Sequence, residues 1–285
     1  MKLFLTWLLV FSASAVLAVT QKTEKLWGRV KSTDQAQSEF IVEARVSPDT
    51  PTTETLTCKI GAGDAYIGWA GRQIRFERVV VDGISWAQAI FPADPELVRQ
   101  MAEVTESLHR ETLDKGRIVT RLPSELMPNM ALWDQEGRLV TKKDVLGSPI
   151  ALNFIFTSCR SARMCPASTA CMKQLGDLLD KSDPKKVVRL LTITFDPETD
   201  SPGILHTYAN GYGINHARHR FLTGDAVQIK DLMRHYGIQT LREDGTIVHN
   251  AALLLLTPEG RIWQRREGAS FDAEDVAKTL TNLPR

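Results

Sequence analysis

Two cysteines and one histidine are the residues of this chain best suited to chemistry. Cys159 and Cys165 follow an apolar run, residues 150–156, and Pro166 comes directly after the second thiol. The run predicts a buried strand and the sequence after Pro166 predicts a helix, so both thiols lie where a strand gives way to a helix. His249 opens another apolar run near the C-terminal end. Two sulfurs and an imidazole predict a copper site, because thiolates select Cu(I) and an added imidazole also accepts Cu(II).

The position of Cys165 predicts a stabilised thiolate. Pro166 suits the first helical position, where its missing N–H would have no partner in any case. Unpaired N–H groups and the positive end of the helix dipole favour a negative sulfur at this point. Arg160 and Arg163 add positive charge in the loop between the two cysteines. We therefore expect the Cys165 thiol to ionise readily, as metal binding and disulfide exchange both require.

The same residues also have structural interpretations. The five residues between Cys159 and Cys165 permit a structural disulfide, which an oxidising compartment would maintain. Their spacing is neither the Cys-x-x-Cys of redox enzymes nor the paired motif of zinc sites. A single histidine at a strand edge, such as His249, is more often hydrogen-bonded than bound to a metal. Spacing alone leaves these alternatives open.

The remaining cysteines and histidines are assigned structural positions. Cys58 falls on the apolar face of a predicted strand and Cys171 on an apolar stripe of the predicted helix, so we expect both to be buried. A pair between Cys165 and Cys171 is disfavoured, because a step of six residues turns an ideal helix by about 600°. His216 and His219 lie in a polar, loop-like stretch and are expected to be solvated.

The composition is that of an ordinary soluble globular protein. The 285 residues are 43% hydrophobic and 24% charged, and their formal net charge is +1. This length favours two domains. The chain has no long basic run, so we expect no nucleic-acid partner. Its four cysteines are too few for a disulfide scaffold.

The N-terminal segment predicts export. Lys2 precedes a mostly apolar stretch, residues 3–18, that ends in small residues. The stretch is shorter than the roughly 20 apolar residues needed to span a bilayer, so we expect a signal peptide, residues 1–18, cleaved near Ala18. The alternative is an uncleaved anchor that would tether the chain to a membrane. The expected location is therefore periplasmic, or membrane-anchored facing the periplasm.

The residue pattern divides the rest of the chain into two domains. Several alternating runs in residues 22–93 predict a small antiparallel β domain, with a hairpin turn at Asp82-Gly83. Residues 94–121 predict a helix and then a charged linker that begins at Arg110. Residues 122–285 alternate strands and helices, which favours an α/β domain with a central sheet flanked by helices. Its predicted elements are strand 149–156, helix 166–181, strand 187–195, helix 202–211 and helix 225–236.

Four motifs of the second domain resemble the SCO/SenC copper chaperones. In chain order they are Phe156-Thr-Ser-Cys159 with Cys165-Pro166, Thr194-Phe-Asp-Pro-Glu-Thr-Asp-Ser-Pro202, Phe221-Leu-Thr-Gly224, and His249-Asn250 before a strand. The resemblance covers roughly residues 127–283 and implies a thioredoxin-like fold. The fold class expected for the chain is therefore α/β, a thioredoxin-like domain preceded by a small antiparallel β domain.

The resemblance also implies metal ligands and a partner. By this resemblance Cys159, Cys165 and His249 would bind copper, as Cu(I), Cu(II) or both. Asp196 would lie close to the metal without binding it. The implied partner is a copper-accepting oxidase subunit or another copper protein, in the assembly of cytochrome c oxidase. The family's usual motif has three residues between its cysteines whereas this chain has five, so the resemblance is to a longer-loop variant.

Two functions from different classes follow from these residues. A metallochaperone, our preferred prediction, would bind one copper at Cys159, Cys165 and His249 and pass it to a partner by ligand exchange. A thiol-disulfide oxidoreductase would use the two cysteines to reduce a copper-site protein through a mixed disulfide, and it would not need His249. Whether the protein is an enzyme therefore stays open. A peroxidase of peroxiredoxin type is disfavoured, because Thr157 stands one residue too close to Cys159 for that motif.

The predicted β domain carries little that could bind copper. It has no histidine, and its one cysteine, Cys58, is expected to face inward. We therefore favour docking to a partner for this domain, and the alternatives are an additional copper module or a spacer from the membrane.

Overall fold

The structure, a computed structural model, describes residues 23–182, 188–243 and 246–283, with the backbone alone for residues 242, 243 and 246. The predicted signal or anchor, residues 1–18, lies outside the described residues. None of the helices in the described ranges combines the length and the hydropathy that a membrane span requires.

Five strands close into a barrel in the N-terminal part of the chain. They are Glu24–Asp34 (β1), Glu39–Arg45 (β2), Glu54–Lys59 (β3), Gln73–Val81 (β4) and Ile84–Pro92 (β5). Their order around the barrel is β1-β2-β3-β5-β4, and every pair is antiparallel except β3 with β5. A short helix, Ala62–Ile67 (α1), connects β3 to β4. A five-stranded barrel with this order and this helix resembles an OB-fold.

Most of the barrel strands follow from the residue pattern. The strands predicted from alternating runs are confirmed as β2, β3, β4 and β5. The predicted turn between β4 and β5 is confirmed as well, and Asp82 and Gly83 there have φ of 51° and 78°. Cys58 is confirmed as a core residue, and burial raises the pKa of its thiol to about 11. The strand β1 and the helix α1 were not predicted.

A long helix, Pro95–Lys115 (α2), leads away from the barrel. Asp94 caps it by accepting hydrogen bonds from the N–H groups of Glu96 and Leu97. The sequence predicts a linker from Arg110, which is wrong for the residues up to Lys115. The helix continues because Thr112 is buried there, and its hydroxyl lies 3.0 Å from Nε2 of His235 on another helix. A tertiary contact therefore stabilises a stretch whose charge alone is typical of a linker.

A mixed seven-stranded sheet forms the core of the second domain. Its strands are Ala131–Asp134 (β6), Leu139–Thr141 (β7), Ile150–Ile155 (β8), Arg189–Thr194 (β9), His219–Thr223 (β10), Ala252–Leu256 (β13) and Ile262–Glu267 (β14). The order across the sheet is β14-β13-β8-β9-β10-β6-β7, with β8, β9 and β10 parallel. A separate hairpin consists of Thr240–Glu243 (β11) and Thr246–His249 (β12).

Helices cover both faces of this sheet. They are Lys142–Val145 (α3), Cys165–Ser182 (α4), Pro202–Gly211 (α5), Ala226–His235 (α6) and Ala273–Thr281 (α7). One apolar layer joins α4 and α7 to the sheet, and the other joins α2, α5 and α6 to its opposite face. The strands and helices predicted for this domain are confirmed, and so is the fold class. The helix α3, the strand β10 and the hairpin of β11 and β12 were not predicted.

Candidate metal centre

The junction between β8 and α4 places the two predicted thiol ligands. The strand β8 consists entirely of buried residues, and Cys159 lies in the loop that follows it. Cys165 is the first residue of α4 and is 1% exposed, whereas Cys159 is partly exposed. His249 comes from a distant part of the chain, as the last residue of β12.

The structure brings the three predicted ligands together. The sulfurs of Cys159 and Cys165 and a ring nitrogen of His249 all lie within 4.8 Å of one another. Sγ of Cys165 is 3.4 Å from Nε2 of His249, and both cysteines are free thiols. In the part of the chain that the structure describes, no other group of three such side chains meets this distance.

His249 is held with one nitrogen free to bind a metal. Its Nδ1 lies 2.8 Å from the carbonyl oxygen of Asn250. A carbonyl only accepts hydrogen bonds, so Nδ1 carries the proton and the lone pair of Nε2 points toward Cys165. Burial lowers the pKa of His249, and the hydrogen bond to Asn250 partly opposes this effect. A neutral imidazole fixed by a backbone carbonyl is the usual arrangement of a metal-binding histidine.

Two phenylalanines pack against the ring of His249. The ring centroid of Phe195 is 4.7 Å from that of His249, and the centroid of Phe156 is 6.0 Å away. Phe156 directly follows β8 and Phe195 directly follows β9, so the two central strands of the sheet set the position of the imidazole. This role was not predicted for either residue, because the only local signal is an aromatic residue at the carboxyl end of a buried strand.

The predicted ease of ionisation at Cys165 is wrong for the metal-free protein. Burial raises the pKa of this thiol far above its ordinary value, and backbone hydrogen bonds at Phe156 and Cys165 lower it only in part. Arg160 and Arg163 are exposed and therefore screened by water. Desolvation outweighs the favourable helix terminus because the sulfur lies inside the apolar layer. A metal that binds here must therefore displace a proton.

Asp196 is adjacent in the chain to a residue that packs against His249. It directly follows Phe195, and its backbone N–H donates to Oγ1 of Thr194 at 3.0 Å. The residue is 7% exposed. An influence of its carboxylate on a bound metal stays a prediction.

The expectation that His219 is solvated is wrong. His219 begins β10 and is 2% exposed, with Nε2 2.7 Å from Oγ1 of Thr192. Burial lowers its pKa to about 3. His216 is also partly buried, with Nδ1 3.7 Å from a carboxylate oxygen of Glu136. The polar sequence around these residues hid a short strand that packs inside the sheet.

The expectation that Cys171 is buried is also wrong. The inward face of α4 consists instead of Cys165, Ser168, Thr169, Met172, Leu175 and Leu179. Cys171 is only partly buried, because one residue turns a helix by about 100° and places it beside this face. The predicted buried face of α4 was rotated from the observed one, because the prediction counted only apolar residues and left out Ser168 and Thr169.

The donor set fits a soft metal ion. Two sulfurs and one imidazole nitrogen already converge, and the second ring nitrogen of His249 is hydrogen-bonded in the way a ligand requires. The fold and the site together define a class of protein. Its members are thioredoxin-like α/β domains that bind a metal through thiols placed after the first buried parallel strand.

Comparison with known proteins identifies the family. The SCO1/SenC family model matches residues 119–284, and the chain belongs to this family. It is 31% identical over 163 residues to the mitochondrial SCO2 homologue of Danio rerio, covering 54% of this chain and 57% of the relative. It is 27% identical over 139 residues to the SCO1 homologue of Bacillus subtilis, covering 47% and 70%. The chain thus spans little more than half the length of the fish relative.

Solved structures show the same fold. A SCO1/SenC family lipoprotein of Bacillus anthracis matches with a TM-score of 0.51 and 21% identity, covering 57% of this chain and 98% of that one. BsSco, described as a member of the Sco family of cytochrome c oxidase assembly proteins with a disulfide switch, matches with a TM-score of 0.50 and 23% identity, covering 56% and 95%.

Proposed function

We propose that the protein is a copper-binding metallochaperone that assists assembly of a copper site in a respiratory oxidase, cytochrome c oxidase. The observation that carries the proposal is the convergence of Cys159, Cys165 and His249 within 4.8 Å. Two soft sulfurs and an imidazole suit copper in both of its biological oxidation states. Membership of the SCO1/SenC family supports the same metal, as does 26% identity over 155 residues to a protein of Stutzerimonas stutzeri named as a candidate copper-binding protein.

The unequal exposure of the ligands supports transfer rather than permanent storage. Cys165 is buried, whereas Cys159 and His249 are both partly exposed. An acceptor thiol or imidazole can therefore replace one of these two ligands while Cys165 still holds the ion. Copper is the cargo in this scheme, and the acceptor is a copper-accepting oxidase subunit or another copper protein.

The proposed place of action is outside the cytoplasm, either in the periplasm or at a membrane facing it. The apolar N-terminal stretch, residues 3–18, supports export. The same stretch would supply a membrane tether if it is not cleaved.

Copper titration of single variants tests the proposal. The reduced protein without its leader is titrated with Cu(I) and Cu(II) beside Cys159→Ser, Cys165→Ser and His249→Ala. Cys171→Ser is the matched control, because it removes a partly buried thiol on the same helix as Cys165 but outside the centre. We expect one tight copper per chain in the wild type and the control, and at least a tenfold loss of affinity in each ligand variant. Unchanged stoichiometry and affinity in all three ligand variants would refute the proposal.

A thiol-disulfide oxidoreductase is the second candidate function. Two free thiols within the same 4.8 Å group favour it, because a mixed disulfide needs a second thiol close by to resolve it. An insulin-reduction assay separates the two functions. The oxidoreductase predicts turnover that survives His249→Ala and is lost in a Cys159→Ser, Cys165→Ser double variant. Activity equal to that of the double variant would exclude it.

A further inference from the structure

A buried carboxylate ties together the two segments that form the metal centre. Asp200 has no exposed surface, although it lies in a loop between β9 and α5. Its side chain accepts hydrogen bonds from Thr157 and Thr194, which belong to different parts of the chain. In the sequence, Asp200 stands in the motif that runs from Thr194 to Pro202, where it was given no role of its own.

The first set of hydrogen bonds fixes the loop that carries Cys159. The backbone N–H of Thr157 donates to Oδ2 of Asp200 at 3.1 Å, and the Thr157 hydroxyl donates to Oδ1. Thr157 stands between Phe156, which packs on His249, and Cys159, whose own N–H lies 3.4 Å from the Phe156 carbonyl. The carboxylate thus holds the chain at the point where it leaves the sheet and turns toward the sulfur.

The second set of hydrogen bonds fixes the aromatic wall behind His249, which is the ring of Phe195. The hydroxyl of Thr194, the last residue of β9, donates to Oδ2 of Asp200 at 2.5 Å. The same hydroxyl oxygen accepts the N–H of Asp196 at 3.0 Å. These two bonds lie on either side of Phe195, the ring closest to the imidazole of His249. One carboxylate therefore sets the cysteine loop and the aromatic wall relative to each other.

A carboxylate satisfies this arrangement with acceptor atoms alone. Three donors point at the two oxygens of Asp200, and an asparagine would turn an NH₂ group toward at least one of them. Burial raises the pKa of Asp200, and the hydrogen bonds from Thr157 and Thr194 oppose this effect. A buried acid in a loop is costly unless its partners compensate it.

We propose that Asp200 is a positioning residue of the metal centre, which sets the affinity for copper by holding Cys159 in place relative to Cys165 and His249. This inference rests on the proposed function, because it concerns the same site. Asp200 acts through the loop and touches none of the three ligands in its hydrogen bonds.

A double-mutant cycle on the signal-free protein tests the proposal. Cu(I) affinity is measured by competition with a chromophoric chelator for the wild type, Asp200→Asn, Cys159→Ser and the double variant. We expect Asp200→Asn to weaken binding by about tenfold, since it breaks hydrogen bonds of a charged acceptor. In the Cys159→Ser background the same change should alter affinity by less than about twofold, because the ligand that Asp200 positions is already absent.

A control variant and an alternative variant accompany the measurement of copper affinity. Asp177→Asn removes an exposed carboxylate from α4 and should leave copper affinity unchanged. If Asp200→Asn does not fold, Thr157→Val removes one donor with little change of shape and should weaken binding in the same direction. An equal loss of copper affinity in the wild-type and Cys159→Ser backgrounds would indicate a general structural role and overturn the proposal. Unchanged affinity in Asp200→Asn would also overturn it. Where Asp200→Asn does not fold, unchanged affinity in Thr157→Val has the same consequence. Failure of the proposed function looks different, because the Cys159→Ser arm would then match the wild type.

Discussion

At the residue scale, burial decides which protonation state each candidate ligand adopts. His249 is kept neutral by burial and oriented by the Asn250 carbonyl, so it is ready to bind a metal. Cys165 is kept protonated by the same burial, against the preference of its helix terminus. Copper affinity should therefore rise with pH, because each thiol must release its proton to bind the ion.

His219 supplies a pH test that is independent of the metal. Thr192 donates to Asn153, so its oxygen accepts the proton of His219 Nε2. Nδ1 is buried without a hydrogen-bond partner among the described residues, so burial keeps the histidine neutral. Its pKa is about 3 in the folded protein, below the ordinary value of 6.5. The unfolded chain thus binds more protons between these values, and the stability from this residue falls as pH drops through 6.5.

We predict that His219→Gln reduces this pH dependence. The quantity compared is the free energy of unfolding of the wild type minus that of the variant. We expect this difference to be about 1.4 kcal/mol smaller at pH 5.5 than at pH 7.5. Denaturant melts of both proteins at the two pH values measure it. Comparing the two proteins cancels the opposite contribution of Asp64, whose pKa burial raises to about 7. An identical difference at both pH values would contradict the assignment.

At the element scale, a close crossing of α1 and α5 joins the barrel to the sheet domain. A Cβ on Gly63 would lie 1.9 Å from the carbonyl oxygen of Gly203, and a Cβ on Gly203 would lie 2.3 Å from the carboxyl of Asp64. Both glycines are needed for this approach, because no side chain fits between the two backbones. Trp69 completes the contact, since its indole N–H donates to Asp64 at 3.1 Å.

Gly203→Ala should therefore destabilise the protein by about 1–3 kcal/mol, the usual cost of overpacking a rigid contact. Gly211→Ala is the control in the same helix, because a Cβ there meets nothing within 4 Å. It should be neutral or slightly stabilising, since alanine favours helix over glycine. Chemical denaturation measures both variants. Equal stability of Gly203→Ala and the wild type would show that α1 and α5 can separate without cost.

Local patterns predicted the elements better than the contacts among them. The strand β8 and the helix α4 follow from an apolar run and from Pro166, which are signals within a few residues. The position of β10 depends on His219 bonding across the sheet to Thr192, which no local pattern contains. The phase of α4 was misjudged for the same reason, because polar Ser168 is buried by its contact with Asn153 on β8.

At the scale of the whole molecule, the candidate site depends on contacts between segments that are far apart in the sequence. Local sequence leaves His249 open to a structural interpretation as well as to a role as metal ligand, and the family resemblance favoured the second. The structure explains this, because β12 belongs to a separate hairpin that places His249 beside the start of α4. The roles of Asp200 and Phe195 were likewise hidden, since each depends on contacts between segments distant in the chain.

No function is assigned to the N-terminal barrel. On its outer surface Lys31 pairs with Glu43 at 2.7 Å and Lys59 with Glu39 at 3.0 Å, so these basic groups are compensated. Arg72 extends from the barrel to the carbonyl oxygens of Glu136 and Gly137 in the sheet domain. A docking function of the barrel remains a prediction.

X-ray absorption spectroscopy of the Cu(I)-loaded protein identifies the atoms bound to copper. We predict one copper with two sulfur neighbours and one imidazole nitrogen, from Cys159, Cys165 and His249. In His249→Ala the imidazole signal should disappear while both sulfur neighbours remain. A wild-type spectrum without an imidazole neighbour, or one that His249→Ala leaves unchanged, would rule out this copper centre.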